Sequence, residues 1–179
     1  GTGIAPELEA RLHRTARAFF DLPEAEKLSI ENVNSPQFRG YTRIGGERTQ
    51  GKVDWREQID IGPERAAVDD PDAPEYARLI GPNQWPAALP ELREVTAQWQ
   101  EHLAGVARKL LRAWALALGA PETYFDEHFG EPATLLKIVR YPGSREAEYE
   151  DRMLRLGYLG EDRPHPRGAL AAYLGFGTQ

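Results

Sequence analysis

Between Leu89 and Leu118 apolar residues return every three or four positions without a break: Leu92, Val95, Trp99, Leu103, Val106, Leu110, Trp114 and Ala117. That period marks one face of an α-helix. Gly119 and Pro121 follow, as they do after a helix C-terminus. At about 1.5 Å of rise per residue the stretch makes a rod some 45 Å long. A chain of 179 residues is by default one domain, so a helix of this length has to serve as the spine on which the other elements pack. With 41% hydrophobic and 28% charged residues, the chain has material for an ordinary core.

The other elements follow from local pattern. Ile4, Leu8, Leu12, Ala16, Phe19 and Phe20 step at helical spacing, with Glu7, Glu9, Arg11, Arg14 and Arg17 on the opposite side, which predicts an amphipathic helix over 4–20. Asp21 and Glu24 stand at capping-box spacing around Pro23 and predict a second short helix to about Ile30, broken by Asn32, Asn34, Ser35 and Pro36. From Phe38 to Gly62 the residues turn β-branched and aromatic around Gly45-Gly46, which reads as a hairpin-like excursion. A proline-rich ordered loop fills 63–88. A short helix is expected at 122–129, then a strand at Thr134–Tyr141 that Pro142-Gly143 ends. The tail reads as a charged helical stretch over 145–156 and an irregular end. The predicted fold class is α+β, with three or four strands.

Composition closes several routes. There is no Cys, hence no disulfide and no thiolate chemistry. A formal charge of −6 with scattered bases argues against nucleic-acid binding. No apolar run reaches the roughly 20 residues that span a bilayer, and a cytoplasmic location is expected. The P-loop, HExxH, GxSxG and GxGxxG patterns do not occur. The four histidines, His13, His102, His128 and His165, read as structural. Asp162 and His165 offer a thin case for a metal or hydrolytic site of another kind.

Several segments in order carry a more specific signal. "ARAFFDLPEAEKLSI", "FRGYTRIGGERTQGKVDWREQIDIG" and "KLLRAWALALGAPETYFDEHF…ATLLKIVRYPG" resemble the isopenicillin N synthase-like family of non-haem Fe(II) dioxygenases, most of which use 2-oxoglutarate. The resemblance covers residues 3–143. It implies an oxidoreductase acting on a small molecule, with Fe(II) and 2-oxoglutarate as cofactors, and a fold that leads into a double-stranded β-helix. It also implies that Tyr141 binds a carboxylate of substrate or co-substrate, that Lys137 lies near 2-oxoglutarate, and that Tyr41, Arg43, Glu47 and Arg48 line the substrate entrance.

Family members hold iron with a His-x-Asp pair after the "RYP" strand and a later His. No His-x-Asp or His-x-Glu occurs in this chain, and 144–179 has no counterpart in the pattern. The expectation is a non-haem dioxygenase N-terminal-like region at 1–143 and an unmatched tail at 144–179, in an incomplete and inactive version whose catalytic core is absent. It would have no catalytic residues and no metal ligands. Leu135, Leu136, Ile138 and Val139 would then form an uncovered strand through which copies associate. The alternative is a non-catalytic interaction module docking through the long helix.

Overall fold

The computed structural model describes residues 2–141 and 169–177. The described chain is α+β. Helix α1 (Pro6–Phe20) and the single-turn α2 (Glu24–Leu28) come first. Strand β1 (Gly40–Thr42), the ribbon β2 (Arg48–Thr49) and β3 (Lys52–Val53), and β4 (Glu57–Ile61) follow. After a loop with a 3₁₀ turn at Glu75–Leu79 come the long helix α3 (Glu91–Ala117) and strands β5 (Ala133–Tyr141) and β6 (Ala169–Gly177). The main sheet is antiparallel in the order β1-β4-β5-β6, and β2-β3 form a separate hairpin.

Both predicted amphipathic helices are present, and they bury their apolar stripes against one face of the sheet. Leu12, Ala16, Phe19 and Phe20 of α1 meet Leu92 and Val95 of α3, Ile59 and Ile61 of β4, and Leu136 and Ile138 of β5. Outside the core, Arg11 joins the helices through Glu91 at 2.8 Å and Glu94 at 3.0 Å. Gly119 (φ 74°) closes α3: its N–H donates to Leu116 O, and Ala120 N–H reaches back to Ala115 O, the paired bonds that a glycine past the last turn allows. The C-terminal half of α3 is less covered, and Leu110, Trp114, Leu116 and Leu118 are exposed. Gly40 (φ 113°) marks the closest backbone approach, since a Cβ there would lie 2.2 Å from Ile30 O.

Several expectations are corrected. Asp21 does not open α2. It ends α1, Pro23 precedes the first turn of α2, and no side chain caps that turn. The hairpin-like excursion at 38–62 is present: β1 pairs antiparallel with β4, and the ribbon β2–β3 forms its tip. Residues 122–129 form successive turns instead of a helix. The tail contributes a strand: β6 pairs with β5 over nine positions, from Ala169↔Tyr141 to Gly177↔Ala133. Its sequence, "ALAAYLGFG", mixes small and large residues without polar alternation, so the period-2 signal is missing.

The β5 strand is not uncovered. It runs between β4 and β6, and Leu136, Ile138 and Val139 are buried, with Leu135 half-buried. The predicted charged helix at 145–156, Asp162 and His165 lie outside the described residues. Among the described residues no helix is long and apolar enough to cross a membrane.

Candidate functional site

The alternation of β4 and β5 splits their side chains between two faces. Register sets Glu57 opposite Arg140, Ile59 opposite Ile138 and Ile61 opposite Leu136; the interleaved pairs are Gln58 with Val139 and Asp60 with Lys137. The first set faces the helices. The second set, with Thr42 of β1 opposite Gln58, Arg56 just before β4 and Tyr141 at the end of β5, faces the other way.

The helix-facing set contains a closed ion cluster. Glu57 is 1% exposed. It accepts from Lys27 Nζ (2.9 Å), Tyr41 O–H (2.7 Å) and Arg140 Nε (2.6 Å). Lys27 also donates to Phe20 O at 3.0 Å, and Arg140 reaches Asp21 at 2.9 Å. Lys27 lies over the Tyr41 ring and Arg140 over the Phe20 ring. Burial and the adjacent Glu57 carboxylate push the Tyr41 phenol well above its ordinary value. Every charge here has a partner, so the cluster ties α1 and α2 to three strands.

The opposite face carries a polar chain whose middle, Gln58 and Asp60, is buried and whose ends, Tyr141 and Lys137, are half-buried. Tyr141 O–H accepts from Arg56 Nη1 at 3.4 Å, and Arg56 Nη2 pairs with Glu47 at 3.0 Å and Asp54 at 3.2 Å. Gln58 Nε2 donates to Glu47 Oε1 and to Asp60 Oδ2, both at 2.9 Å. Lys137 Nζ stands 3.3 Å from Asp60 Oδ1. Six residues from two strands and two loops thus run in one line from Tyr141 to Lys137. Burial raises the Asp60 carboxyl above its ordinary value, and Lys137 and the Gln58 amide pull it back. Gln58 Oε1 and Thr42 Oγ1, opposite one another in register, are buried and have no hydrogen-bond partner among the described residues, a state that costs free energy unless another group approaches.

Of the residues singled out by the sequence, Tyr141, Lys137 and Glu47 come together in this line. Tyr41 does not: it is buried on the helix-facing side, with its hydroxyl on Glu57. Arg43 turns out to Glu31 at 3.1 Å, and Arg48 is exposed on β2. Arg56, Gln58, Asp60 and Thr42 were not foreseen. The strict alternation of polar Arg56, Gln58 and Asp60 with Glu57, Ile59 and Ile61 was the signal that could have found them.

Fe(II) held in a facial arrangement needs three protein ligands. Among the described residues no group of three or more His, Asp or Glu side chains could hold a metal ion. His13 and His128 are exposed, and His102 rests against Thr2 O at 3.1 Å. The described residues alone therefore do not fit iron, and no step of iron chemistry can be assigned to them.

Comparison with known proteins bears on this arrangement. Residues 1–88 match the family described as the N-terminal region of the non-haem dioxygenase in morphine synthesis. The chain is 38% identical over 174 residues to the 2-oxoglutarate-dependent dioxygenase frbJ of Dothideomycetidae sp., covering 97% of this chain and 45% of that protein. It is 33% identical over 145 residues to the homoarginine-6-hydroxylase 2-ODD-C23.1 of Arabidopsis thaliana, covering 80% of this chain and 43% of that one. Its fold is that of a 2OG-Fe(II) oxygenase family protein from Caulobacter crescentus, with TM-score 0.66 and 23% identity over 82% of this chain and 47% of that one. The chain spans about half the length of the curated relatives it matches.

Proposed function

From a chain that belongs, in its N-terminal region, to the 2-oxoglutarate/Fe(II)-dependent dioxygenases of the isopenicillin N synthase-like kind, we infer a part in the oxidation of a small molecule. The helices and the first strands form one wall of the reaction chamber, and the polar face of β4 and β5, half-exposed at Tyr141 and Lys137, is the lining of that wall. The single observation that carries this reading is the continuous line Tyr141–Arg56–Glu47–Gln58–Asp60–Lys137 on the face the helices leave free. Within it, the Tyr141 phenol and the Arg56 guanidinium are the pair suited to a carboxylate of substrate or co-substrate. Lys137 stands further along the same strand. Glu47 belongs to the line, and Arg43 and Arg48, on the loop and ribbon leading to it, are the candidates for sorting substrates on entry.

Iron with 2-oxoglutarate supplies the O₂-dependent oxidation in this family. The proposal for this chain is that it does not assemble that centre by itself, because it has no His-x-Asp or His-x-Glu. The substrate class of its relatives extends at least to a homoarginine-6-hydroxylase by name, so a small amino-acid-like molecule is a reasonable first probe.

The test has two parts. Incubated with Fe(II), ascorbate and 2-oxoglutarate, this chain alone should yield succinate only at the metal-only background; stoichiometric iron binding or succinate above that level would sink the claim that it lacks the centre. Sequencing of the message beyond codon 179 should meet a His-x-Asp and a later His; finding neither in any frame would favour the second reading. That second reading is a non-catalytic module that docks through α3, and the exposed Leu110, Trp114, Leu116 and Leu118 favour it.

A further inference from the structure

At the opposite end of β5 from Tyr141 lies a small pocket of about 220 Å³ between the turn before β1, the segment 79–81 and the start of β5. Its walls include Pro63, Leu79, Ile80, Ala133 and Leu135 together with Arg39 and Arg65, and no carboxylate among the described residues lines it. Neither arginine is neutralised by a close buried partner. Among the described residues Arg39 Nη2 reaches only Leu79 O at 3.5 Å, and its buried Nε has no hydrogen-bond partner. Asp60 acts on Arg39 through space, and burial lowers its ordinarily very high pKa. Arg65 is held by two carbonyls, Glu131 O at 3.1 Å and Pro132 O at 3.4 Å, and its one carboxylate neighbour, Glu131 Oε2, is 3.9 Å away on an exposed side chain. Both guanidinium groups are half-buried and, among the described residues, lack a close carboxylate, which favours an anion between them. Phe38 stands at the mouth, 66% exposed, with a φ of 57° that a bulky residue rarely adopts.

We propose that this pocket binds a small organic carboxylate, its carboxyl group between Arg39 and Arg65 and its apolar body against Ile80, Leu135 and Phe38. Planar guanidinium forks match a carboxylate. The apolar walls favour an anion with a hydrocarbon body over a bare inorganic one. The pocket lies about 20 Å along β5 from the Tyr141 end of the line, since Leu135 and Tyr141 are six residues apart on an extended strand, while the Lys137 end is two residues from Leu135 and Asp60 acts on Arg39.

Titration of the ¹⁵N-labelled chain followed by NMR tests it, with benzoate, its neutral isostere benzamide, and inorganic phosphate. Benzoate should bind saturably with a Kd of about 1 mM or tighter, shift the amides of 37–39, 79–81 and 133–135, and weaken as salt is raised. Benzamide, phosphate, and benzoate on Arg39→Gln should each be weaker by about tenfold or more. Arg65→Gln, whose side chain is partly solvent-exposed, carries the same expectation should Arg39→Gln fail to fold. Equal binding of benzamide, stronger binding of phosphate, or undiminished binding by a folded arginine variant overturns the proposal, as does the absence of saturation. Shifts confined to 56–58 and 139–141 overturn it too, while leaving the dioxygenase reading intact.

Discussion

The two faces of the β4–β5 pair are built from alternate residues of the same strands and differ in how their charges are used. On the helix side one carboxylate, Glu57, itself almost fully buried, meets Lys27, Tyr41 and Arg140. On the other side, acids and bases are strung out in a line with partial exposure at both ends, Tyr141 and Lys137, and with unpaired oxygen atoms on Gln58 and Thr42. The first set of charges has its partners complete; among the described residues the second line keeps unfilled hydrogen-bonding capacity at Gln58 and Thr42. Polar burial by itself does not separate structure from function; completeness of partners does.

The largest expected effect comes from breaking the closed cluster. Glu57→Ala leaves Lys27 and Arg140 without their anion, and removal of one partner of a buried ion network costs about 3–5 kcal/mol. Urea denaturation should show that loss in the midpoint, or no cooperative transition at all. A change below about 1 kcal/mol would mean that the cluster behaves like a surface pair, and the contrast between the faces would fall.

Asp60→Asn should be a smaller change with a distinctive pH signature. Burial raises the Asp60 carboxyl in the folded chain, so the folded state holds its proton more tightly than the unfolded state does. Its contribution to stability is therefore fully present below the ordinary aspartate value and falls away as pH rises through the raised folded value. The asparagine variant lacks this loss: relative to the parent it should gain stability as pH increases from about 4. The lost pairing with Lys137, which is partly exposed, offsets at most about 1 kcal/mol. Thermal melts across this pH range would check it, and parallel curves for the two proteins would rule it out.

Tyr141→Phe should matter least to the fold. Its contact with Arg56 is long, and Arg56 keeps Glu47 and Asp54, so the expected loss is under about 0.5 kcal/mol. A loss above about 1.5 kcal/mol, the upper end for an ordinary hydrogen bond, would make the open line structural as well and would blur the distinction drawn between the two faces.

How much of this was legible in the sequence varies by element. Helices α1 and α3 were, nearly to their ends, because Leu12, Phe19, Leu92 and Val95 repeat at a period that a helix satisfies locally. β5 was legible from "TLLKIVRY" and its Pro142 stop. The ordered likeness to a dioxygenase N-terminal region was legible too, and residues 1–88 match that family. Strand β6 was not, because "ALAAYLGFG" has no alternation; its place beside β5 comes from a ladder of nine paired positions. Among the candidate site residues, Tyr141, Lys137 and Glu47 fall in one line, but Tyr41 was placed at an entrance and lies in the core. Sequence shows that a tyrosine sits on a strand. It does not show which face that residue takes, since a register shift of one reverses every side chain.

What the sequence determined by itself, then, is the set of local periods: a spine helix with a glycine stop, an amphipathic first helix, and apolar strands of the right type. What the tertiary structure decided is the pairing of β1 with β4 and of β5 with both β4 and β6, and through it the sorting of Glu57 to the inside and of Gln58 and Asp60 to the open face. It also set Arg39 beside Arg65 in one pocket although they are 26 residues apart. The physical reason is range. A helix closes its hydrogen bonds within four residues, so its pattern is written along the chain. A sheet closes them with distant partners, and which residues meet depends on packing that no local stretch of sequence contains.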